Sequence, residues 1–132
     1  MPIARMDPFT IVARDVEETV KFYGEMLGFT AGPRPNFPFP GAWLYNEGKP
    51  ILHVVTREKM PETSGVLDHM AFWGSGLADY VGKLKARGAP YDLRRVPPGG
   101  AAAGVWQLFF TDPNGARVEI DLDPSEVAPG GT

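Results

Sequence analysis

Two imidazoles and one carboxylate, His53, His69 and Glu119, have the types and placement in this chain to hold a metal ion. An internal repeat singles them out. Met6-Asp7-Pro8-Phe9-Thr10-Ile11-Val12 aligns with Leu67-Asp68-His69-Met70-Ala71-Phe72-Trp73 without a gap. The match continues with Val16, Val20 and Tyr23 opposite Leu77, Val81 and Leu84. A second pair of segments, residues 43–45 with 51–54 and residues 109–111 with 117–120, aligns at a slightly larger offset, as a longer loop in the second copy requires. His53 then falls on Glu119, and His69 falls on Pro8. A pseudo-twofold axis between the copies would bring equivalent strands together, so three of four related positions carry a metal donor. Two histidines with one carboxylate suit non-haem Fe(II) or Mn(II), with coordination positions left open for substrate or oxygen. Taken singly, a strand histidine is more often a hydrogen-bonded surface residue than a ligand; the joint placement carries the reading.

The elements that must position these residues follow the same repeat. Residues 5–13 alternate as a strand with Phe9 and Ile11 on one face. Asp15 can cap a helix, with Glu18 three residues on, and Val16, Val20, Tyr23 and Leu27 form its apolar stripe. Gly28 suits the left-handed position that ends it. A short strand at 29–31 precedes Pro33-Arg34-Pro35-Asn36-Phe37-Pro38-Phe39-Pro40, which cannot donate into a sheet and is expected as an extended loop. Strands at 41–45 and 50–56 flank a tight turn at Asn46-Glu47-Gly48-Lys49. The second half repeats the order: a strand at 67–73, a helix over 77–87 stopped by Gly88, a strand at 91–96 and a glycine-rich loop. A final hairpin, 105–111 with 116–122, turns at Asp112-Pro113-Asn114-Gly115, and residues 124–132 read as a frayed tail.

Each half is therefore βαβββ, an α+β class. Module one spans about 5–57, a linker 58–65 and module two about 66–123, the pair forming one curved mixed-sheet cup in a single domain, 1–132. Strand parity puts Arg117, Glu119 and Asp121 on one face and Val118, Ile120 and Leu122 on the helix side. It likewise groups His69 with Ala71 and Trp73, and His53 with Ile51 and Val55.

Bulk properties exclude more than they assign. A net charge of −3 without a Lys/Arg cluster leaves no footprint for nucleic acid or an anionic membrane. No apolar run is long enough for a membrane span, and no signal segment opens the chain. Cysteine is absent, which removes disulfides and thiolate metal sites and fits a cytoplasmic protein.

Three stretches together resemble the vicinal oxygen chelate superfamily, which includes glyoxalase I, extradiol dioxygenases, fosfomycin-resistance and bleomycin-resistance proteins. They are Asp15-Val16-Glu17-Glu18-Thr19-Val20-Lys21-Phe22-Tyr23 with Leu27-Gly28-Phe29, then Leu67-Asp68-His69-Met70-Ala71-Phe72, then Asp112-Pro113-Asn114-Gly115-Ala116-Arg117-Val118-Glu119-Ile120. The resemblance implies a divalent metal, Fe(II) or Mn(II) ahead of Zn(II) or Ni(II), on His53, His69 and Glu119, with Glu119 also catalytic. Pro8 departs from it, standing where the family's first-strand ligand usually is; proline has no donor atom. By similarity Trp43, Tyr45, Trp106, Gln107 and Arg117 line the substrate side, and a homodimer is implied. Arg117 is expected to pair with an anionic substrate group or with Glu119.

The best expectation is a dioxygenase-like enzyme acting on a small catechol-like substrate; a glyoxalase-like isomerase or lyase is the alternative. A metal-free, bleomycin-resistance-like binder is the third reading, motivated by Pro8 and by Phe37, Phe39, Trp43, Tyr45 and Trp106. In that reading there is no cofactor.

Overall fold

The computed structural model describes residues 2–130. Within them the order is β1 (Phe9–Val12), α1 (Val16–Leu27), β2 (Thr30–Gly32), β3 (Gly41–Asn46) and β4 (Lys49–Val55). The second copy follows as β5 (Met70–Trp73), α2 (Leu77–Ala86), β6 (Asp92–Arg95), β7 (Trp106–Thr111) and β8 (Arg117–Leu122). The chain divides into two compact units, Met1–Thr63 and Ser64–Thr132. Each holds one four-stranded mixed sheet, ordered β1-β4-β3-β2 in the first and β5-β8-β7-β6 in the second. The repeat extends to the register: Thr10 faces His53 across the parallel β1–β4 pair as Ala71 faces Glu119 across β5–β8.

Local chemistry accounts for the boundaries. Asp15 caps α1, its carboxylate accepting from the Glu18 amide at 3.1 Å, and Gly28 ends the helix at φ 74°. Glu47 and Gly48 both have positive φ, 51° and 78°, the requirement of a two-residue type I′ hairpin between β3 and β4. Asp112 organises the last hairpin, its Oδ1 accepting from the amides of Asn114 and Ala116 at 2.8 Å each.

Four expectations need correction. The buried face of α1 carries Thr19, Phe22, Tyr23 and Met26, while Val16, Val20 and Leu27 are only half-buried. The stripe is rotated because the threonine can be buried: its hydroxyl donates to the Asp15 carbonyl at 2.8 Å. β1 is shorter than the alternating run 5–13, since its pairing with β4 begins only at Phe9. β5 starts at Met70, so His69 stands one residue before the strand, as Pro8 stands before β1. Its sheet partner β8 pairs from Val118 onward, which leaves residues 67–69 without a ladder to join.

The last correction concerns the tail. As far as Ala128 it is docked; residues 131–132 lie outside the described chain. Gly76, the N-cap of α2, has no side chain to offer, and the Glu126 carboxylate takes that place. It accepts from the Gly76 amide at 2.9 Å and the Leu77 amide at 2.8 Å. Trp106 Nε1 donates to the Glu126 carbonyl at 2.8 Å, Arg95 Nη1 to the Pro124 carbonyl at 3.0 Å, and Ala128 is buried. A carboxylate at a helix N-terminus satisfies orphan amides and meets the positive end of the dipole. Glu126→Ala is expected to lower stability by about 1 kcal/mol, the ordinary value of an N-cap, read as a shift in urea midpoint at constant slope.

Candidate functional site

In the second unit the β8 face opposite the helix presents Arg117, Glu119 and Asp121, and β7 adds Gln107 and Phe109 directly across from Asp121 and Glu119. His69 reaches this face from the loop end of β5. Its Nε2 lies 2.9 Å from Glu119 Oε1, and its Nδ1 lies 2.7 Å from Asp68 Oδ2. The ring stands edge-on to Phe109, centroids 5.6 Å apart. Glu119 is 5% exposed and accepts from Gln107 Nε2 at 3.3 Å through its other oxygen.

The imidazole is thus held between two carboxylates. A neutral ring has one proton, which satisfies one of them; the other contact is attractive only with a second ring proton or with a cation beside both groups. Ligand atoms about 2.1 Å from an ion and at right angles to each other stand about 3 Å apart, the spacing of Nε2 and Oε1 here. Asp68 on the far nitrogen and Gln107 on the far oxygen stand where outer partners stand in metal sites. The pair therefore fits a divalent cation. It is not a full shell: among the described residues no group of three or more His, Cys, Asp or Glu side chains is arranged to hold a metal ion.

Electrostatics at this face are acidic. Asp68 is held below the usual carboxylate range, chiefly by its hydrogen bond to His69. Asp121 moves the other way, pushed up to about 7 by burial first and then by its contact with Glu119. Its Oδ1 is buried without a hydrogen-bond partner. A carboxyl whose folded pKa is raised contributes stability that is present below its unfolded value, 3.8, and is lost as pH rises through about 7. In metal-free protein the Asp121 contribution should therefore be lost between roughly pH 4 and 7. His53 opposes this loss, because its lowered pKa adds stability as pH rises toward 6.5. In urea titrations Asp121→Asn should remove the loss and leave the gain.

Arg117 departs from expectation. Its ion pair, at 3.8 Å, is with Asp68, and its guanidinium lies 4.4 Å from the Phe109 centroid. Arg94 covers the same ring at 4.9 Å. Arg117 and Phe109 also line a cavity of about 290 Å³ with Asp92 and Thr111.

Trp106 is brought elsewhere. It pairs with Leu122, on the face opposite Glu119, and is 7% exposed beneath Arg95, whose guanidinium lies 3.8 Å from the ring centroid.

In the first unit Trp43 faces His53 across β3–β4, and the rings stack at 4.1 Å and 6°. Burial lowers the His53 pKa, with the Arg34 charge adding to it and Asp7 opposing. Its Nε2 is buried and has no hydrogen-bond partner among the described residues. Tyr45 points away from this stack: its hydroxyl donates to the Pro33 carbonyl at 2.6 Å, and its ring fills the space a Cβ on Gly32 would need. The sequence reading missed Asp68 as the partner of His69. The signal was available, because an acidic residue beside a candidate ligand is the usual outer partner of a histidine.

The family model described as Glyoxalase/Bleomycin resistance protein/Dioxygenase superfamily matches residues 5–120. The chain belongs to this superfamily. A protein called glyoxylase I 4 from Arabidopsis thaliana is 32% identical over 134 residues, covering 96% of this chain and 76% of the relative. The crystal structure of a glyoxalase family protein from Bacillus anthracis superposes with TM-score 0.74 at 21% identity, over 93% of this chain and 98% of that one. A fosfomycin resistance protein from Listeria monocytogenes gives TM-score 0.70 at 15% identity, over 91% and 92%. These last two likenesses show the fold. The superfamily spans glyoxalases, resistance proteins and dioxygenases, so membership alone does not select a reaction. No helix among the described residues is long and apolar enough to cross a membrane.

Proposed function

We propose that the chain is a metal-dependent small-molecule enzyme of the vicinal oxygen chelate type, catalysing proton transfer in a glyoxalase-like isomerase or lyase reaction. The observation that carries this reading is the His69–Glu119 pair, an imidazole and a nearly buried carboxylate 2.9 Å apart and oriented by Asp68 and Gln107. The name of the Arabidopsis relative supports the reaction class. A bound divalent ion supplies Lewis acidity toward two neighbouring substrate oxygens. Around it, Asp68 fixes the ring so that Nε2 faces the site, and Gln107 holds one Glu119 oxygen. Asp121, in contact with Glu119, offers a second carboxyl for proton transfer. His53 lies in the first unit, and its assignment as a metal ligand rests on the internal repeat alone.

A second reading, a dioxygenase-like enzyme, is supported by membership of a superfamily that includes dioxygenases, and by an imidazole–carboxylate pair that also suits Fe(II). The remaining assignments, a small-molecule substrate and a homodimer, belong to the proposal.

Elemental analysis of chelator-free protein decides between these readings and a metal-free binder. About one equivalent of metal, lost in Glu119→Gln, supports an enzyme. Isomerisation of a thiol adduct of a 2-oxoaldehyde with Zn(II), Ni(II) or Mn(II) then supports the first reading. Oxygen uptake with a catechol and Fe(II) alone supports the second. No metal retained from any of these ions sinks both.

A further inference from the structure

The first unit carries an aromatic and cationic cluster that the proposed reaction does not use. Between β2 and β3, residues 33–40 contain prolines at 33, 35, 38 and 40, so their backbone has few amides to anchor it. The segment is held by the Tyr45 hydroxyl on the Pro33 carbonyl, the Phe37 amide on the Pro35 carbonyl at 2.8 Å, and Arg34 Nη2 on the Phe39 carbonyl at 3.0 Å. The Arg34 guanidinium lies 5.1 and 5.2 Å from the Phe37 and Phe39 centroids. It lies close to Gly41, where an added Cβ would stand 2.8 Å from Nη2, although the contact that only glycine permits is the nearer one with the Val54 carbonyl oxygen.

Phe37 and Phe39 stack on each other at 5.3 Å and are 43% and 40% exposed. Phe37 is 6.5 Å from Trp43, which continues the wall to His53. Arg34 Nε is sealed from solvent without an acceptor. A buried guanidinium N–H without a partner is costly, and an anion is the group that relieves it best. An exposed pair of stacked rings beside an unsatisfied, fork-shaped cation suits a flat ring bearing an anionic group, and a carboxylate is the planar match to the fork.

We propose that Arg34, Phe37, Phe39 and Trp43 form a recognition subsite for a planar aromatic carboxylate, the ring stacked on the phenylalanines and the carboxylate on Arg34. His53 enters only as the ring behind Trp43. Because Arg34 Nε is sealed in the free protein, binding includes a local shift of the 33–40 segment that lets the carboxylate reach it. The inference goes beyond the function proposed above, since the subsite lies within one unit and needs no metal.

The test is calorimetric titration of the EDTA-treated full chain with benzoate, followed in parallel by tryptophan fluorescence. Saturable binding on the order of millimolar is expected, weakened about tenfold or more in Arg34→Met and in Phe37→Leu. Arg34→Lys keeps the charge and the stem that pack the loop but not the planar fork, and it should weaken binding as well. Benzyl alcohol, without the charge, and cyclohexanecarboxylate, without the flat ring, should each bind more weakly than benzoate. Absence of saturable binding, equal affinity for benzyl alcohol, or unchanged affinity in both Arg34 variants overturns the proposal. Because no metal is present, any of these results leaves the metal-dependent reading standing, and loss of metal in Glu119→Gln leaves this one standing.

Discussion

His69→Ala is expected to lose the metal and, with no metal present, still to destabilise the protein by about 1–3 kcal/mol. The second effect follows from Glu119. That carboxylate is 5% exposed and, once the imidazole is gone, is left with Gln107 and the Asp121 carboxyl as partners. A buried acceptor stripped of its partner retains its desolvation cost, and a charged one retains more. Half-exposure of His69 itself limits the loss, since water can enter the space the ring leaves. Metal content by elemental analysis and urea unfolding of the EDTA-treated protein separate the two effects. Asp68→Asn serves as the contrast. It touches the ring but not the ion, and should weaken metal retention by roughly 10–100-fold. A His69→Ala protein that retains stoichiometric metal would remove the second unit from the metal site altogether.

Trp106→Ala should cost more stability, about 3–5 kcal/mol, and leave metal content unchanged. The indole is buried, covered by Arg95, and tied to the tail through its bond to the Glu126 carbonyl. Truncation opens a cavity and releases the segment that caps α2. Trp106→Phe keeps most of the volume and loses the hydrogen bond, so its cost should be nearer 1 kcal/mol. A drop in metal content in Trp106→Phe, with stability preserved, would place this residue near the site despite its face. Chemical denaturation of both variants, with metal analysis of the same samples, makes the comparison.

Much of this architecture was legible because it is written twice. The alignment of Phe9 on Met70 and of His53 on Glu119 predicts βαβββ units, and the observed registers, Thr10 with His53 and Ala71 with Glu119, repeat that alignment residue for residue. Strand parity also placed Glu119 and Asp121 on one face, because period two leaves no other arrangement once Val118 and Ile120 are buried. What parity could not reach were contacts made by side chains across loops. Glu126 on Gly76, fifty residues earlier, depends on how the tail lies over the sheet. The rotated face of α1 was missed for a different reason: hydrophobicity alone scores Thr19 as polar, whereas its hydroxyl is satisfied inside its own helix. Trp106 looked like a site residue by strand membership, and only its pairing with Leu122 shows the face it occupies.

The two helices obtain their caps from very different distances along the chain. α1 takes its cap from Asp15, adjacent in sequence, whereas α2 waits for Glu126. On a polypeptide made from its N-terminus, the first helix can close as soon as it is made, but the second stays uncapped until Glu126, fifty residues after Gly76, has been added. Closing a loop of fifty residues also carries an entropic cost that a local cap avoids. The second unit should therefore be the slower to acquire protected amides during refolding, with α2 protected after α1. Pulse-labelled hydrogen exchange would show the order directly, and equal protection times for the two helices would show that tail docking does not limit it.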